Sequence, residues 1–166
     1  VMNILGPLTN PAGARRQVVG VSDPELLDLV SGAFAELGHL HALVVHGEPG
    51  MDEVSPLGET QVAEVRLGAV ERYTITPERL GLEVVEVEEL EGGEPEDNAR
   101  VIERVLAGQG GAARTAVVMN AAAAILVSGM VEDWDAATRR AVESIDSGAA
   151  GASLDALRKE IGRAHV

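Results

Sequence analysis

Residues 17–45 have the sequence QVVGVSDPELLDLVSGAFAELGHLHALVV, and this stretch decides the fold. A short apolar run at 17–21, bounded by turn-forming residues, predicts a buried strand. Ser22 or Asp23 is then expected to cap a helix that has Pro24 at its first position and stops at Gly38. Apolar residues of this helix recur at helical spacing and are expected to face the core: Leu26, Leu27, Leu29, Val30, Ala33, Phe34 and Leu37. A second apolar run at 42–45 completes a βαβ unit, so we expect two parallel strands.

The remaining residues extend this layered pattern. Alternation of apolar and polar residues over 60–75, with Gly68 at the turn, predicts a β-hairpin with one solvent-exposed face. A further extended segment is expected at 84–87. Helices are expected at 97–107, 115–129, 132–147 and 153–161, with a short strand as an alternative at 116–119 and Ser153 as the cap of the last helix. The sequence therefore predicts an α/β fold, a mixed and largely parallel sheet flanked by helices, in a single domain spanning residues 1–166.

The composition limits the possible classes of protein. The 166 residues carry 13 Lys and Arg against 27 Asp and Glu, a formal net charge of −14, so binding to nucleic-acid phosphates is disfavoured. No run of about 18 apolar residues exists, and no membrane span is expected. The absence of cysteine excludes disulfides and thiolate chemistry. A cytoplasmic enzyme fits this composition.

Two adjacent carboxylates, Asp52 and Glu53, form the main candidate site. They lie on a glycine-flanked loop after the second predicted strand, and ligands of open α/β sheets bind at the carboxyl ends of strands. Mg²⁺ prefers oxygen ligands and usually takes one or two carboxylates together with phosphate oxygens. The pair fits that demand, and the simpler alternative is a solvent-exposed turn with two acids.

Five short motifs follow one another along the chain. They are NILGPLTNP at 3–11, HGEPGMDE at 46–53, GGEPEDNA at 92–99, NAAAA at 120–124 and SIDSGAA at 144–150. In this order and spacing they resemble the C-terminal half of anthranilate phosphoribosyltransferase, an enzyme of tryptophan biosynthesis. The resemblance covers nearly the whole chain.

The resemblance implies a fold, a reaction and a metal site. The fold is the larger α/β domain of the family, with the N-terminal helical domain absent. The reaction transfers phosphoribose from phosphoribosyl pyrophosphate (PRPP) to the amino group of anthranilate and releases pyrophosphate. The family uses the Asp-Glu pair for magnesium and PRPP, so the implied metal ligands are Asp52 and Glu53. No residue receives a catalytic or anthranilate-binding role, and Arg15 and Arg16 do not replace the family's anthranilate-binding arginine, which lies upstream.

The same resemblance sets expectations for assembly, and the positions of the remaining polar residues set expectations for their roles. The intact enzyme is expected to be a homodimer, whereas this fragment is expected to be inactive alone and not to form a well-behaved dimer. His46 and Asn120 are expected to be hydrogen-bonded within the packing, and His39, His41 and His165 are expected to be non-catalytic. The 3–11 motif is either a rigid connecting loop or a segment beside the substrate cleft.

Two other functions stay open at this point. A pyrimidine-nucleoside phosphorylase of related fold also makes or breaks a bond at the ribose carbon. A non-catalytic, acidic α/β binding module could retain the same fold without the chemistry.

Overall fold

One four-stranded sheet organises the protein, for which a computed structural model describes residues 6–163. The strands are β1 Arg16–Gly20, β2 His41–Gly47, β3 Thr60–Arg66 and β4 Ala69–Ile75. They lie side by side in chain order; β1 and β2 pair in parallel, and the other two pairings are antiparallel.

Residues 6–8 are helical, and five further α-helices flank the sheet within the described residues. They are α1 Leu26–Glu36, α2 Pro95–Leu106, α3 Ala112–Ser128, α4 Trp134–Asp146 and α5 Ala149–Arg163. Two short 3₁₀ helices, Glu78–Leu80 and Val87–Leu90, link β4 to α2. Asn3 of the first motif and His165 lie outside the described residues. No helix in the described part of the chain is long and apolar enough to cross a membrane.

The predicted βαβ unit is confirmed, with Val19 of β1 opposite Val44 of β2 in the parallel register. The helix begins later than predicted because Asp23 accepts a hydrogen bond from the Glu25 N–H (3.0 Å) and forms a turn before α1. Gly38 ends the unit's helix with a φ of 74°, a conformation that glycine adopts without strain.

The buried face of α1 is narrower than its apolar sequence suggested. Leu27, Val30 and Phe34 are fully buried, whereas Leu29 and Leu37 are 64% and 58% exposed, contrary to expectation. The buried three recur at spacings of three and four residues, so they form one stripe along the helix. Leu29 lies off that stripe, and Leu37 follows the last helical turn as its C-cap.

Strand β2 is buried on both faces and separates two hydrophobic clusters. Leu43 and Val45 pack on the side of α3 and α4. Ala42 and Val44 pack on the side of α1. Alternate residues of a strand point to opposite faces, so β2 holds both layers together.

The predicted mixed sheet flanked by helices is confirmed. The sheet was expected to be largely parallel, but only one of its three described strand pairings is parallel. Residues 48–59 join β2 to β3 without a helix that could cross over the sheet. Only Leu67 and Gly68, with φ of 50° and 86°, separate β3 from β4, and so short a turn requires an antiparallel hairpin. The hairpin and its turn at Gly68 are as predicted.

Three smaller predictions are wrong. Residues 84–87 form no strand, because Val85 donates its N–H to the Pro56 carbonyl (3.1 Å) rather than to a neighbouring strand, and Val87 begins a 3₁₀ helix. The alternative strand at 116–119 lies inside α3. Ser153 is an interior residue of α5 and donates back to the Ala149 carbonyl (3.0 Å), so it does not cap that helix.

Candidate functional site

Asp52 and Glu53 lie where the sequence placed them, on the loop that leaves the carboxyl end of β2. Both residues are exposed. The loop turns sharply, because Gly47 and Met51 exchange two backbone hydrogen bonds of 2.9 and 2.7 Å. The two residues therefore lie at the surface, on a loop that follows the buried strand β2.

A glycine in β1 fixes the position of Asp52. The Asp52 carbonyl oxygen would be 1.5 Å from a Cβ atom on Gly20, so the loop occupies the space where any other side chain would begin. Gly20 is the last residue of β1. The carboxylate pair thus lies where the ends of two parallel strands meet, which is the expected place for a ligand.

A side chain from α3 holds the residue that follows the pair. Asn120 Oδ1 accepts the Val54 N–H at 2.9 Å, and Asn120 Nδ2 donates to the Val54 carbonyl at 2.9 Å. Val54 itself is fully buried. The expectation that Asn120 is hydrogen-bonded within the packing is confirmed, and its principal partner is the loop of the candidate site.

The remainder of the loop is tied to the start of β3. The Ser55 N–H donates to Thr60 Oγ1 at 2.9 Å, and Ser55 Oγ donates to the Glu48 carbonyl. Ser55 and Thr60 are both fully buried. Hydrogen bonds on both sides therefore restrict the conformations of residues 48–60.

The carboxylate pair has the chemistry that a divalent cation needs. None of the ion pairs found in residues 6–163 involves Asp52 or Glu53, so neither charge is neutralised by an arginine or lysine. Across the same residues no group of three or more His, Cys, Asp or Glu side chains is arranged to hold a metal. The pair fits Mg²⁺ only if phosphate and water oxygens complete the coordination, which is how Mg²⁺ usually binds.

A pocket of about 570 Å³ lies beside this loop, and Asp52 and Glu53 are outside its lining. Its polar wall includes His46, Glu48 and Glu59. His46 Nδ1 lies 2.8 Å from the Val21 carbonyl, and since a carbonyl only accepts, Nδ1 carries the proton. The prediction that His46 is hydrogen-bonded within the packing is confirmed.

The described part of the first motif lies at the opposite end of β1 from Asp52. Gln17 Nε2, near the start of β1, is within hydrogen-bond distance of the Pro7 and Ala14 carbonyls (3.2 and 3.1 Å). Asn10 Oδ1 accepts the Ala12 N–H at 2.9 Å and stabilises a local turn. The Asn10 side chain therefore supports the loop itself.

Sequence reasoning missed a polar network at the other end of the sheet. Glu64 Oε1 lies 2.7 Å from His41 Nε2 and 3.0 Å from Arg66 Nε, and Glu64 Oε2 accepts from the Tyr73 hydroxyl at 2.6 Å. The Trp134 indole N–H in turn donates to the Tyr73 oxygen at 2.9 Å. A glutamate between the apolar Val62 and Val65 of a predicted strand was the signal that could have revealed it.

Burial shifts the pKa of two members of this network. Burial raises the pKa of Tyr73 far above its ordinary value, and the hydrogen bond to Glu64 adds to the increase. Burial lowers the pKa of His41, although the hydrogen bond to Glu64 opposes that shift. Both side chains are therefore held neutral at neutral pH, and the network is structural rather than part of the carboxylate site.

Comparison with protein families matches residues 1–151 to the glycosyl transferase family, a/b domain. The chain is 51% identical over 157 residues to an anthranilate phosphoribosyltransferase of Anaeromyxobacter dehalogenans, with 95% of this chain and 46% of the relative covered. It is 53% identical over 148 residues to the enzyme of the same name from Methanosarcina acetivorans, covering 89% of this chain and 40% of that protein. The chain therefore spans about half the length of the curated relatives it matches.

Solved structures give the same result. The anthranilate phosphoribosyltransferase of Thermus thermophilus superposes with a TM-score of 0.78 at 42% identity, covering 87% of this chain and 43% of that one. The enzyme of Saccharomyces cerevisiae in complex with PRPP and Mg superposes with a TM-score of 0.80 at 31% identity, covering 91% and 44%. The chain belongs to the glycosyl transferase family, among relatives that are anthranilate phosphoribosyltransferases.

Proposed function

We propose that this chain is the α/β part of an anthranilate phosphoribosyltransferase, which transfers phosphoribose from PRPP to anthranilate. The names of its relatives support this reaction, as does the yeast relative solved with PRPP and Mg. The single observation in this chain that carries the proposal is the Asp52–Glu53 pair. It is exposed, free of ion pairs among the described residues, and held where the ends of β1 and β2 meet.

The reaction forms one bond and breaks one at the ribose carbon C1. The amino nitrogen of anthranilate bonds to C1, the bond from C1 to the pyrophosphate oxygen breaks, and the amine loses a proton. The products are N-(5-phosphoribosyl)anthranilate and pyrophosphate. Since the amine is already nucleophilic, the protein chiefly has to align the reactants and stabilise the departing charge.

In this proposal Asp52 and Glu53 hold magnesium. The bound ion would neutralise charge that develops on the pyrophosphate oxygens as the bond to C1 breaks. The tight loop between Gly47 and Ser55 holds the two carboxylates in place before substrate arrives, which lowers the cost of organising them. No other side chain of this chain is assigned to the chemistry.

The organisation of the whole protein forms part of the same proposal. Residues 1–166 act as one α/β phosphoribosyl-transfer domain, and a helical domain completes the cleft. The intact enzyme is a homodimer that works in the cytoplasm, as suits a biosynthetic reaction. The isolated chain lacks turnover, because the rest of the cleft comes from the part of the relatives that it does not span.

The test joins this chain to the portion of the Anaeromyxobacter dehalogenans relative that it does not span. Loss of anthranilate fluorescence is followed after addition of PRPP and Mg²⁺, with the isolated chain measured in parallel. The joined protein is expected to turn over, and the variant Asp52→Asn with Glu53→Gln is expected to lose its magnesium-dependent turnover. Glu96→Gln with Asp97→Asn makes the same change of charge at an exposed pair on α2 and should leave turnover unchanged.

Three other results would contradict the proposal in whole or in part. Turnover with thymidine and phosphate but none with anthranilate would indicate a nucleoside phosphorylase. A joined protein that acts on neither set of substrates would favour a non-catalytic module. Unchanged magnesium dependence in the double variant at Asp52 and Glu53 would refute the metal assignment alone.

A further inference from the structure

We propose that Asn120 is a positioning residue for the metal-binding pair, acting through both backbone polar groups of Val54. The inference rests on the proposed function, because it concerns the same Asp52–Glu53 site. Among the described residues Asn120 has no hydrogen bond to either carboxylate, and outside its own helix its side chain binds the residue immediately after Glu53.

The carboxamide of Asn120 can be oriented in only one way. Its Nδ2 group donates to two carbonyl oxygens, those of Val54 (2.9 Å) and Ala116 (3.0 Å), and so uses both of its hydrogens. Its Oδ1 atom faces the Val54 N–H at 2.9 Å. A flipped amide would place its oxygen against two carbonyls and its NH₂ group against an N–H, so the hydrogen bonds themselves assign the orientation.

These bonds satisfy backbone groups that have no strand partner. Val54 is fully buried, yet it lies in the loop between β2 and β3, outside the strand pairings. An unpaired buried N–H or carbonyl is costly, and Asn120 pairs both across 66 residues of sequence. The loop is thereby fixed to the middle of α3.

Two independent contacts then bracket the carboxylate pair. On one side the Asp52 carbonyl lies against Gly20, and on the other side Val54 is bound by Asn120. Glu53 lies between the two fixed points. A magnesium site with two protein ligands depends on holding both oxygens in the correct geometry, which here requires a fixed backbone.

The residue type at position 120 also favours a role beyond helix packing. Residues 121–124 of α3 are all alanine, the strongest helix former, and asparagine is among the weaker ones. A side chain that served only α3 would need no partner outside the helix. The two hydrogen bonds to Val54 give asparagine a reason to be there.

The experiment uses the ¹⁵N-labelled 166-residue chain and Mn²⁺ as a paramagnetic probe, added together with pyrophosphate, which supplies the phosphate oxygens that the site needs. In the parent chain, added Mn²⁺ is expected to broaden the amide signals of residues 50–54, and Asp52→Asn with Glu53→Gln should abolish that broadening. In Asn120→Ala the Mn²⁺ concentration for half-maximal broadening is expected to rise about tenfold or more, the usual effect of removing a residue that orients a metal ligand. The metal-free Asn120→Ala chain should also exchange its Val54 amide hydrogen faster than the parent.

Two further variants separate positioning from general stability. Thr138→Ala removes a buried side chain whose hydroxyl donates to the Trp134 carbonyl (2.8 Å) in α4, far along the chain from the loop, and should alter neither readout. Asn120→Asp keeps the side-chain volume and the acceptor for the Val54 N–H but sets an acceptor against the Val54 carbonyl. It should reproduce the Mn²⁺ shift even if Asn120→Ala does not fold.

The remaining outcomes refute either the positioning role or the metal assignment. If Mn²⁺ binds at Asp52 and Glu53 in the parent but equally well in both Asn120 variants, the positioning role is wrong and the proposed function stands. The same holds if Thr138→Ala shifts the Mn²⁺ dependence as much as Asn120→Ala. If the parent shows no broadening near Asp52, the metal assignment fails and the positioning role fails with it.

Discussion

The carbonyl of Asp52 occupies the space beside Gly20 in which a Cβ atom would lie, at a distance of 1.5 Å from that atom's ideal position. Gly20 is at the end of β1 and has no positive φ, so its backbone conformation would admit any residue. The requirement for glycine is therefore one of close approach alone. The candidate metal loop and the sheet edge are in direct backbone contact.

Gly20→Ala is expected to move the loop and weaken metal binding. The new methyl group meets backbone atoms of Asp52 rather than a side chain that could turn away, so the loop itself has to shift. We expect the free energy of unfolding to fall by about 1–3 kcal/mol, as for other overpacked sites. Urea unfolding gives the stability, and Mn²⁺ titration followed by amide line broadening gives the binding.

Gly32→Ala provides the matched control for that substitution. Gly32 lies inside α1, and a Cβ atom there would have nothing within 4 Å. Alanine is the better helix former, so the control should gain about 0.5–1 kcal/mol of stability and leave Mn²⁺ binding unchanged. Equal effects of the two substitutions would show that the contact between Gly20 and Asp52 does not constrain the loop.

Tyr73→Phe is expected to destabilise the sheet against α4. The substitution leaves the Trp134 N–H and Glu64 Oε2 without the hydroxyl that now joins them at 2.9 and 2.6 Å. Unsatisfied buried polar groups cost about 1–3 kcal/mol, and we expect a loss of that size. Urea unfolding followed by circular dichroism measures it, with the fluorescence of Trp134, the only tryptophan, as a second probe.

Glu71→Gln is the control for Tyr73→Phe, because Glu71 is an exposed residue of the same strand and should change stability little. A Tyr73→Phe variant as stable as the parent would mean that water replaces the lost hydroxyl. The hydrogen bond would then contribute nothing net to packing between β4 and α4.

Local sequence predicted most of the elements because their periodicities are local. The alternation over β3 and β4 and the helical spacing of α1 each need only a few neighbouring residues to be recognised. The direction of β3 relative to β2 depended on whether residues 48–59 cross over the sheet, and no local pattern reports that. The apolar exposed Leu29 shows the same limit, since an apolar residue on a helix need not face its core.

The candidate site, too, could be predicted only in part from the sequence. Asp52 and Glu53 could be placed from the sequence because strand ends are where α/β sheets bind ligands. The contacts that hold the two carboxylates in place could not be predicted from the sequence, since Gly20 lies in another strand and Asn120 reaches Val54 across 66 residues. In the sequence, the glycine can be explained as part of a turn and the asparagine as a polar residue on a helix. Only the folded structure shows that Gly20 and Asn120 both hold the loop of the candidate site.

His41 is expected to titrate at lower pH than an ordinary histidine. Burial lowers its pKa, Glu64 opposes the shift, and Arg66 and Arg16 add to it. The unfolded chain binds its proton near the ordinary pKa of about 6.5 while folded His41 is still neutral, so stability falls as the pH drops from there toward the folded pKa.

The His41 ring-proton resonance, followed by NMR across pH 4–8, measures this shift directly. Its midpoint should lie below the value measured for the same chain unfolded in urea. A midpoint at or above the unfolded value would mean that attraction to Glu64 outweighs burial, and the acid-side loss of stability would then be absent from this residue.

Leu67→Asn is expected to stabilise the protein. Leu67 has a φ of 50° in the turn before Gly68, and it is 81% exposed, so the substitution relieves strain and sacrifices almost no burial. Asparagine tolerates this left-handed conformation far better than leucine, for which it costs roughly 1–2 kcal/mol. We expect a gain of about 0.5–1 kcal/mol in the free energy of unfolding, read from the urea midpoint at an unchanged slope. Leu37→Asn makes the same change at an exposed leucine with an ordinary φ of −73° and should bring no gain. If both substitutions raised the midpoint equally, loss of exposed apolar surface rather than relief of backbone strain would be the cause.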